Sequence, residues 1–185
     1  MVYIIMALFA ALIVAADQFT KYLTVANIAA PLGTEAARIT QLQSAFFLQG
    51  KDLSQLPVDK PFIPGFLSFD HAHNEGAAFS ALQGQRWLFI LLFVVLTVAV
   101  IWEFWKKPLG FNKFERWCIV AIWAGGLGNM IDRVRLGFVV DMIRTDFMVF
   151  PIFNVADCFV TCGCIALMIS LVFFNRSIWK DEKKK

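Results

Sequence analysis

Two aspartates, Asp141 and Asp157, lie in strongly apolar surroundings, the first in Phe138-Val-Val-Asp-Met-Ile143 and the second in Phe153-Asn-Val-Ala-Asp157. An ionised carboxylate in or near hydrocarbon is costly, so one placed there marks a function or a partner. Two carboxylates brought together cannot easily both ionise, and a pair sharing one proton divides the work of acid and base. The ionised member takes a proton from a water as it attacks a carbonyl. The protonated member polarises that carbonyl and then passes its proton to the leaving nitrogen. Like-charge proximity and apolar surroundings enforce the split without a metal, and the titration belongs to the pair. Only a short loop separates the two residues, which makes their meeting easy. The chemistry indicated is peptide hydrolysis at a membrane surface.

The elements that must position them are membrane helices. Of the 185 residues 59% are hydrophobic and 17% charged, with 20 phenylalanines, 6 tryptophans and a mean hydropathy of +0.66. A soluble domain is nearer 45–50% apolar. The length predicts one domain, 1–185. The net charge of +3 comes with no basic stripe interleaved with aromatics outside the helix ends, which excludes a nucleic-acid partner. Four runs approach the roughly 20 residues a bilayer demands: about 2–27, 87–105, 117–131 and 155–174. Trp87, Trp102, Trp105, Trp117 and Trp179 cluster at their ends, as interfacial anchors do. The first run has no basic residue before it and its pattern continues past Ala15-Ala16, which argues against a cleaved signal peptide.

Basic residues set the orientation. Lys106, Lys107, Lys113 and Arg116 follow the second run, and Arg176, Lys180, Lys183, Lys184 and Lys185 follow the fourth. Four spans put both groups on one side, the cytoplasm, together with both termini. The outer-face segments are then about 28–86 and 132–154. Within them, Pro31 to Lys60 looks like a surface excursion. Pro61 to Asp70 and Val134 to Arg144 are strand-like and are expected to pair into a small sheet on the outer surface. The fold class is therefore a mainly α membrane protein, a four-helix bundle carrying a small β-sheet and loop subdomain.

Other polar residues have plainer readings. Asp17 and Lys21, spaced i, i+4, pair on one helix face and support the bundle. Gly125-Gly-Leu-Gly-Asn-Met-Ile-Asp-Arg133 supplies small residues for close helix contact, with Asp132 and Arg133 read as a capping ion pair. Asn74-Glu-Gly76 fits an ordinary turn. His71 and His73 lack a third ligand nearby, so no metal is expected. Cys118, Cys158, Cys162 and Cys164 all fall in expected spans and behave as small apolar residues. Phosphate-binding loops and serine or cysteine nucleophile motifs are missing from the sequence. A coupled transporter would place its acids near the midplane of inverted repeats, whereas these sit at one interface.

Together the motifs resemble the lipoprotein signal peptidases, or type II signal peptidases, of bacteria. The matching pieces are Asp17-Gln-Phe-Thr-Lys21, Asn74-Glu-Gly-Ala-Ala-Phe79, Gly125 to Arg133, Val139-Val-Asp141 and Phe153 to Asp157, in the family's order. The resemblance implies an aspartic endopeptidase of the cytoplasmic membrane that removes signal peptides from diacylglyceryl-modified prolipoproteins, cutting just before the lipidated cysteine. It implies Asp141 and Asp157 as the dyad and Asn74, Gly76, Asn129, Arg133 and Asn154 as residues lining the substrate site. Asp17, Lys21 and Asp132 are implied as support. No cofactor is implied, and the partners are lipoprotein precursors and membrane lipid, with the chain acting as a monomer. The excursion before Asn74 is longer than expected for the family, Met142 follows the first aspartate where an aromatic is common, and Cys158 follows the second where a smaller or hydroxyl residue is frequent. These departures bear on substrate preference.

Overall fold

The computed structural model describes residues 1–26, 60–76, 82, 84–106 and 109–175. The expected excursion over Pro31 to Lys60 lies almost wholly outside them, as do Lys107 and the basic tail after Asn175. The order of elements is α1 (Val2–Thr24), β1 (Lys60–Ile63), β2 (Leu67–Asn74), α2 (Arg86–Lys106), α3 (Lys113–Arg135), β3 (Val139–Thr145) and α4 (Val155–Ile169), the last continued by a π turn at Ser170–Phe174. Three rods, Val2–Thr24, Arg86–Lys106 and Val155–Phe174, are long and apolar enough to cross a membrane. Most of their large apolar side chains point outward, as in a helix that is hydrophobic all round and solvated by lipid. On α2 the buried side chain is Glu103.

α3 differs. It has the length, 23 residues, but carries Lys113, Glu115, Arg116, Asp132, Arg133 and Arg135 at its ends. It runs longer than the expected 117–131 because Glu115, Asp132 and Arg133 at its ends are buried against partners within the protein. Asn112 caps it by accepting from the Glu115 backbone N at 3.0 Å, and the Glu115 carboxylate accepts from Asn112 N at 2.8 Å. The same buried carboxylate accepts from Ser170 Oγ at 2.9 Å and Asn175 Nδ2 at 2.8 Å, tying the start of α3 to the end of α4. At the other end, Arg86 donates to the Val134 carbonyl at 2.8 Å and joins the start of α2 to the last turn of α3. The rods thus run alternately up and down, with α3 packed against α1, α2 and α4.

Glycine allows that central position. A Cβ built on Gly125 would sit 2.5 Å from the Ala156 carbonyl O, and one on Gly128 2.5 Å from Asp17 Oδ2. Backbone approach this close requires the missing side chain. The expected small sheet is present, but the stretch read as one piece over Pro61 to Asp70 turns back at residues 64–66. The sheet therefore has three antiparallel strands in the order β1-β2-β3, with β3 entered from the end of α3. Phe69 lies opposite Ile143 but Ala72 lies opposite Asp141, so β2 holds one residue more than β3 over this stretch. The extra residue is a β-bulge at Asp70 and His71, facing Met142. Because faces alternate along a strand, the bulge brings Asn74 onto the face that carries Asp141.

Gly128→Ala should destabilise the protein by about 1–3 kcal/mol, because its methyl meets a carboxylate that cannot move. Gly126→Ala meets only the ring edge of Phe93, at 3.0 Å, and should cost less. Thermal unfolding of the two variants in detergent checks the order.

Candidate active site

Asp157 is placed by its own helix. Asn154, the N-cap of α4, accepts from Asp157 N at 2.9 Å, and Asp157 Oδ2 accepts from Asn154 N at 3.1 Å. This reciprocal pair locks the first turn and fixes the carboxylate at the helix N-terminus, where the aligned peptide dipoles favour negative charge. The other oxygen accepts from Asn129 Nδ2 of α3 at 2.7 Å. Asp141 comes from β3. Its Oδ1 accepts from Asn154 Nδ2 at 2.6 Å and its Oδ2 from Asn74 Nδ2 at 2.9 Å. Asn154 therefore contacts both carboxylates, through its backbone N–H on one side and its amide on the other. It is completely buried, and Asp141 is 2% exposed.

A second cluster lies behind the pair. Lys21, fully buried, places its ammonium 2.9 Å from Asp17, 2.8 Å from Asp132 and 3.0 Å from Asn129 Oδ1. Each of its three N–H groups has a partner. Both carboxylates also hold backbone: Asp17 Oδ1 accepts from Ala156 N at 2.9 Å, and Asp132 Oδ2 accepts from Val140 N at 3.2 Å. Gln18 closes the cluster by donating to Asp132 Oδ1 at 3.0 Å and to Asp17 Oδ2 at 3.2 Å.

Asp17 and Lys21 form the expected i, i+4 pair. The capping pair expected between Asp132 and Arg133 does not form. Asp132 faces α1 and takes Lys21, while Arg133, one residue on, points a different way around the helix. Its guanidinium donates to the Gly76 carbonyl at 2.7 Å and stacks 4.4 Å over the Phe89 ring. Gly76 in turn donates its N–H to Asn74 Oδ1 at 3.0 Å, so Arg133 steadies the bend that follows Asn74. The structure thus gathers Asn74, Gly76, Asn129, Arg133, Asn154, Asp141 and Asp157 into one connected group. Each of the three asparagines donates to a carboxylate of the pair, while Asn129 Oδ1 also accepts from Lys21 and Asn154, and Asn74 Oδ1 accepts from Gly76 N.

Gln18 was not singled out from the sequence, although its place inside Asp17-Gln-Phe-Thr-Lys21 could have marked it. His71 and His73 lie edge to face at 5.1 Å, and His73 stacks on Phe138 at 3.8 Å. Burial pushes the His71 imidazole below its ordinary pKa, which keeps it neutral beside Asp70. Burial first, and then the neighbouring charge of Asp157, raise Asp141 to about 7, against the opposing hydrogen bonds from Asn74 and Asn154. One carboxyl of the pair thus holds its proton near neutrality while the other sits among N–H donors.

Residues 9–173 match the family described as Signal peptidase (SPase) II. The chain belongs to the signal peptidase II family. It is similar to the lipoprotein signal peptidase of Enterococcus faecalis, 40% identical over 173 residues that cover 92% of this chain and 89% of that one. It is also similar to that of Streptococcus agalactiae serotype Ia, 43% identical over 145 residues, covering 78% and 86%. A bacterial membrane enzyme solved by the in meso method at 2.3 Å superposes with a TM-score of 0.70 at 30% identity, covering 98% of this chain and 93% of that one. A second such structure, at 1.9 Å, gives 0.68 at 31% identity, covering 92% and 94%. As a family member the chain is a membrane protease of lipoprotein processing.

Folded Asp141 keeps its proton to about pH 7, whereas an unfolded aspartate ionises near 3.9. Between those values the native state binds more protons, so stability falls as pH rises through the window and levels off above it. Asp141→Asn removes that slope. The variant should match the parent near pH 3.5 and exceed it by about 2–4 kcal/mol at pH 8. Unfolding in detergent at both pH values checks it.

Proposed function

We propose that this family member is an aspartic endopeptidase that removes the signal peptide from diacylglyceryl-modified prolipoproteins, cutting just before the lipidated cysteine. The observation that carries the reading is Asn154, buried between the two carboxylates and bonded to both. In this reading Asp157, with two N–H donors at a helix N-terminus, is the base that takes a proton from the attacking water. Asp141, held up to about 7, is the acid that polarises the scissile carbonyl and protonates the leaving nitrogen. Asn74, Asn129 and Asn154 hold the dyad, and Arg133 orders the Gly76 bend at its edge.

α3 acts as a fourth span in the cytoplasmic membrane, and the polar cluster of Glu115, Ser170 and Asn175 marks the cytoplasmic end. The sheet and the dyad then lie at the outer face, at the depth where acyl chains hold a lipidated cysteine. The site is assembled from one chain, which suits a monomer. A signal helix cut there must first be partly unwound, which exposes backbone groups that lipid leaves unsatisfied.

Asp141→Asn and Asp157→Asn should each reduce cleavage of a lipidated precursor by several orders of magnitude while leaving the chain folded. In the parent, cleavage should fall as pH rises through the neutral range, because Asp141 then loses its proton. Near-native turnover in either variant would remove that residue from the dyad.

A precursor of the same sequence with an unmodified cysteine should be cut little or not at all where the lipidated form is fully processed. Acyl chains contribute about 0.8 kcal/mol per buried methylene to anchoring, and they set the depth of the bond. Mass spectrometry of both precursors after incubation with purified enzyme decides it, and equal rates would point to a general intramembrane protease.

A further inference from the structure

At the end of the sheet remote from Asn74, the β1–β2 turn meets the segment that follows β3. The Phe66 and Phe147 rings stack with centroids 4.7 Å apart and planes within 9°, and Asp146 N donates to the Phe66 carbonyl at 3.0 Å. Around that stack Phe62, Ile63, Met148, Val149 and Phe150 are exposed, Val149 completely. Phe147 to Phe153 holds no charged or hydrogen-bonding side chain. A loop that faces water is ordinarily built from Gly, Asn, Asp and Ser, so this one is built for another surrounding.

Beneath the apolar tip lies a polar collar. Ser68 Oγ donates to Asp146 at 2.5 Å, Arg144 donates to Asp146 at 3.3 Å and to Asp70 at 2.9 Å, and Thr145 Oγ1 donates to the Met148 carbonyl at 3.2 Å. The tip is therefore held in shape, with charge at its base and hydrocarbon at its end. It is also close to the bilayer. Phe150 precedes Asn154, the cap of the membrane-spanning α4, by four residues, which is at most about 14 Å of extended chain.

We propose that this tip is a membrane anchor whose occupant is the phospholipid leaflet on the sheet's side, with the aromatic and aliphatic side chains in the acyl boundary and Arg144 at the level of the headgroup phosphates. The proposal rests on the bilayer placement given above and not on the dyad. Aromatic residues at this depth present an apolar body to the chains, while the collar stays hydrated. The anchor sits on β3, the strand that carries Asp141, four residues from its end at Thr145. It thereby sets the height of that carboxyl relative to the lipid.

The test uses the unmodified full chain in phosphatidylethanolamine and phosphatidylglycerol vesicles. These are photolysed with a bilayer-partitioned aryl diazirine or with a water-soluble diazirine, and labelled peptides are read by mass spectrometry. Residues 147–150 should take the bilayer reagent several-fold more than the aqueous one, to an extent comparable with Leu91 to Val98 on the outward face of α2. Val149→Asp, at a side chain in open space, should abolish that tip labelling while leaving the α2 labelling unchanged. Labelling of the tip from water overturns the anchor. So does protection from both reagents, which would mean that residues 27–59 or a second copy covers it. Loss of α2 labelling as well would instead overturn the bilayer placement.

Discussion

One buried ammonium organises this molecule. Lys21 lies between Asp17 and Asp132 with no access to water, and removing either kind of partner would leave a charge in a place where charge is very costly. The arrangement does more than neutralise itself. Asp17 grips the backbone N–H of Ala156 and Asp132 that of Val140, the residues immediately before Asp157 and Asp141. Asn129, which also accepts from Lys21, reaches Asp157 directly. Two short tethers from one cation thus fix the backbone at both members of the pair, from α4 on one side and β3 on the other. Electroneutral packing in the bundle and geometry at the dyad are the same set of bonds.

The cost of the site is borne elsewhere in the fold. Asp141 is buried beside a second carboxylate, which raises its proton affinity and penalises its ionised form. Asn154 offsets part of that penalty and also caps α4, so its amide serves helix stability and dyad geometry together. Polar groups this numerous and this buried are tolerated because almost every one has a partner.

Much of this was legible in the sequence. Three long apolar helices, a small sheet and the i, i+4 pair of Asp17 and Lys21 followed from composition and periodicity, while the gathering of residues 74 to 157 was implied only by the family resemblance. The ends of α3 were not. Glu115 and Asp132 lie at the ends of the helix, yet each is buried and bonded to a side chain more than fifty positions away, and local pattern carries no trace of such partners. The direction of Asp132 shows the same limit. Its neighbour Arg133 is the obvious counter-ion in sequence, but adjacent helix residues project about 100° apart and cannot face one another. Asn154 and Asp157, by contrast, carry a local signal in their three-residue spacing, because a capping box involves only one turn of chain.

The bulge at Asp70 and His71 bears on how this strand can change over evolutionary time. Side-chain direction in β2 is a matter of parity, and one additional residue has set it so that Asn74 shares a face with Asp141. Gaining or losing a single residue between Phe69 and Asn74 would turn that asparagine to the opposite face and leave one oxygen of Asp141 without its donor. Substitutions along this stretch can accumulate singly. Its length can drift only in steps of two.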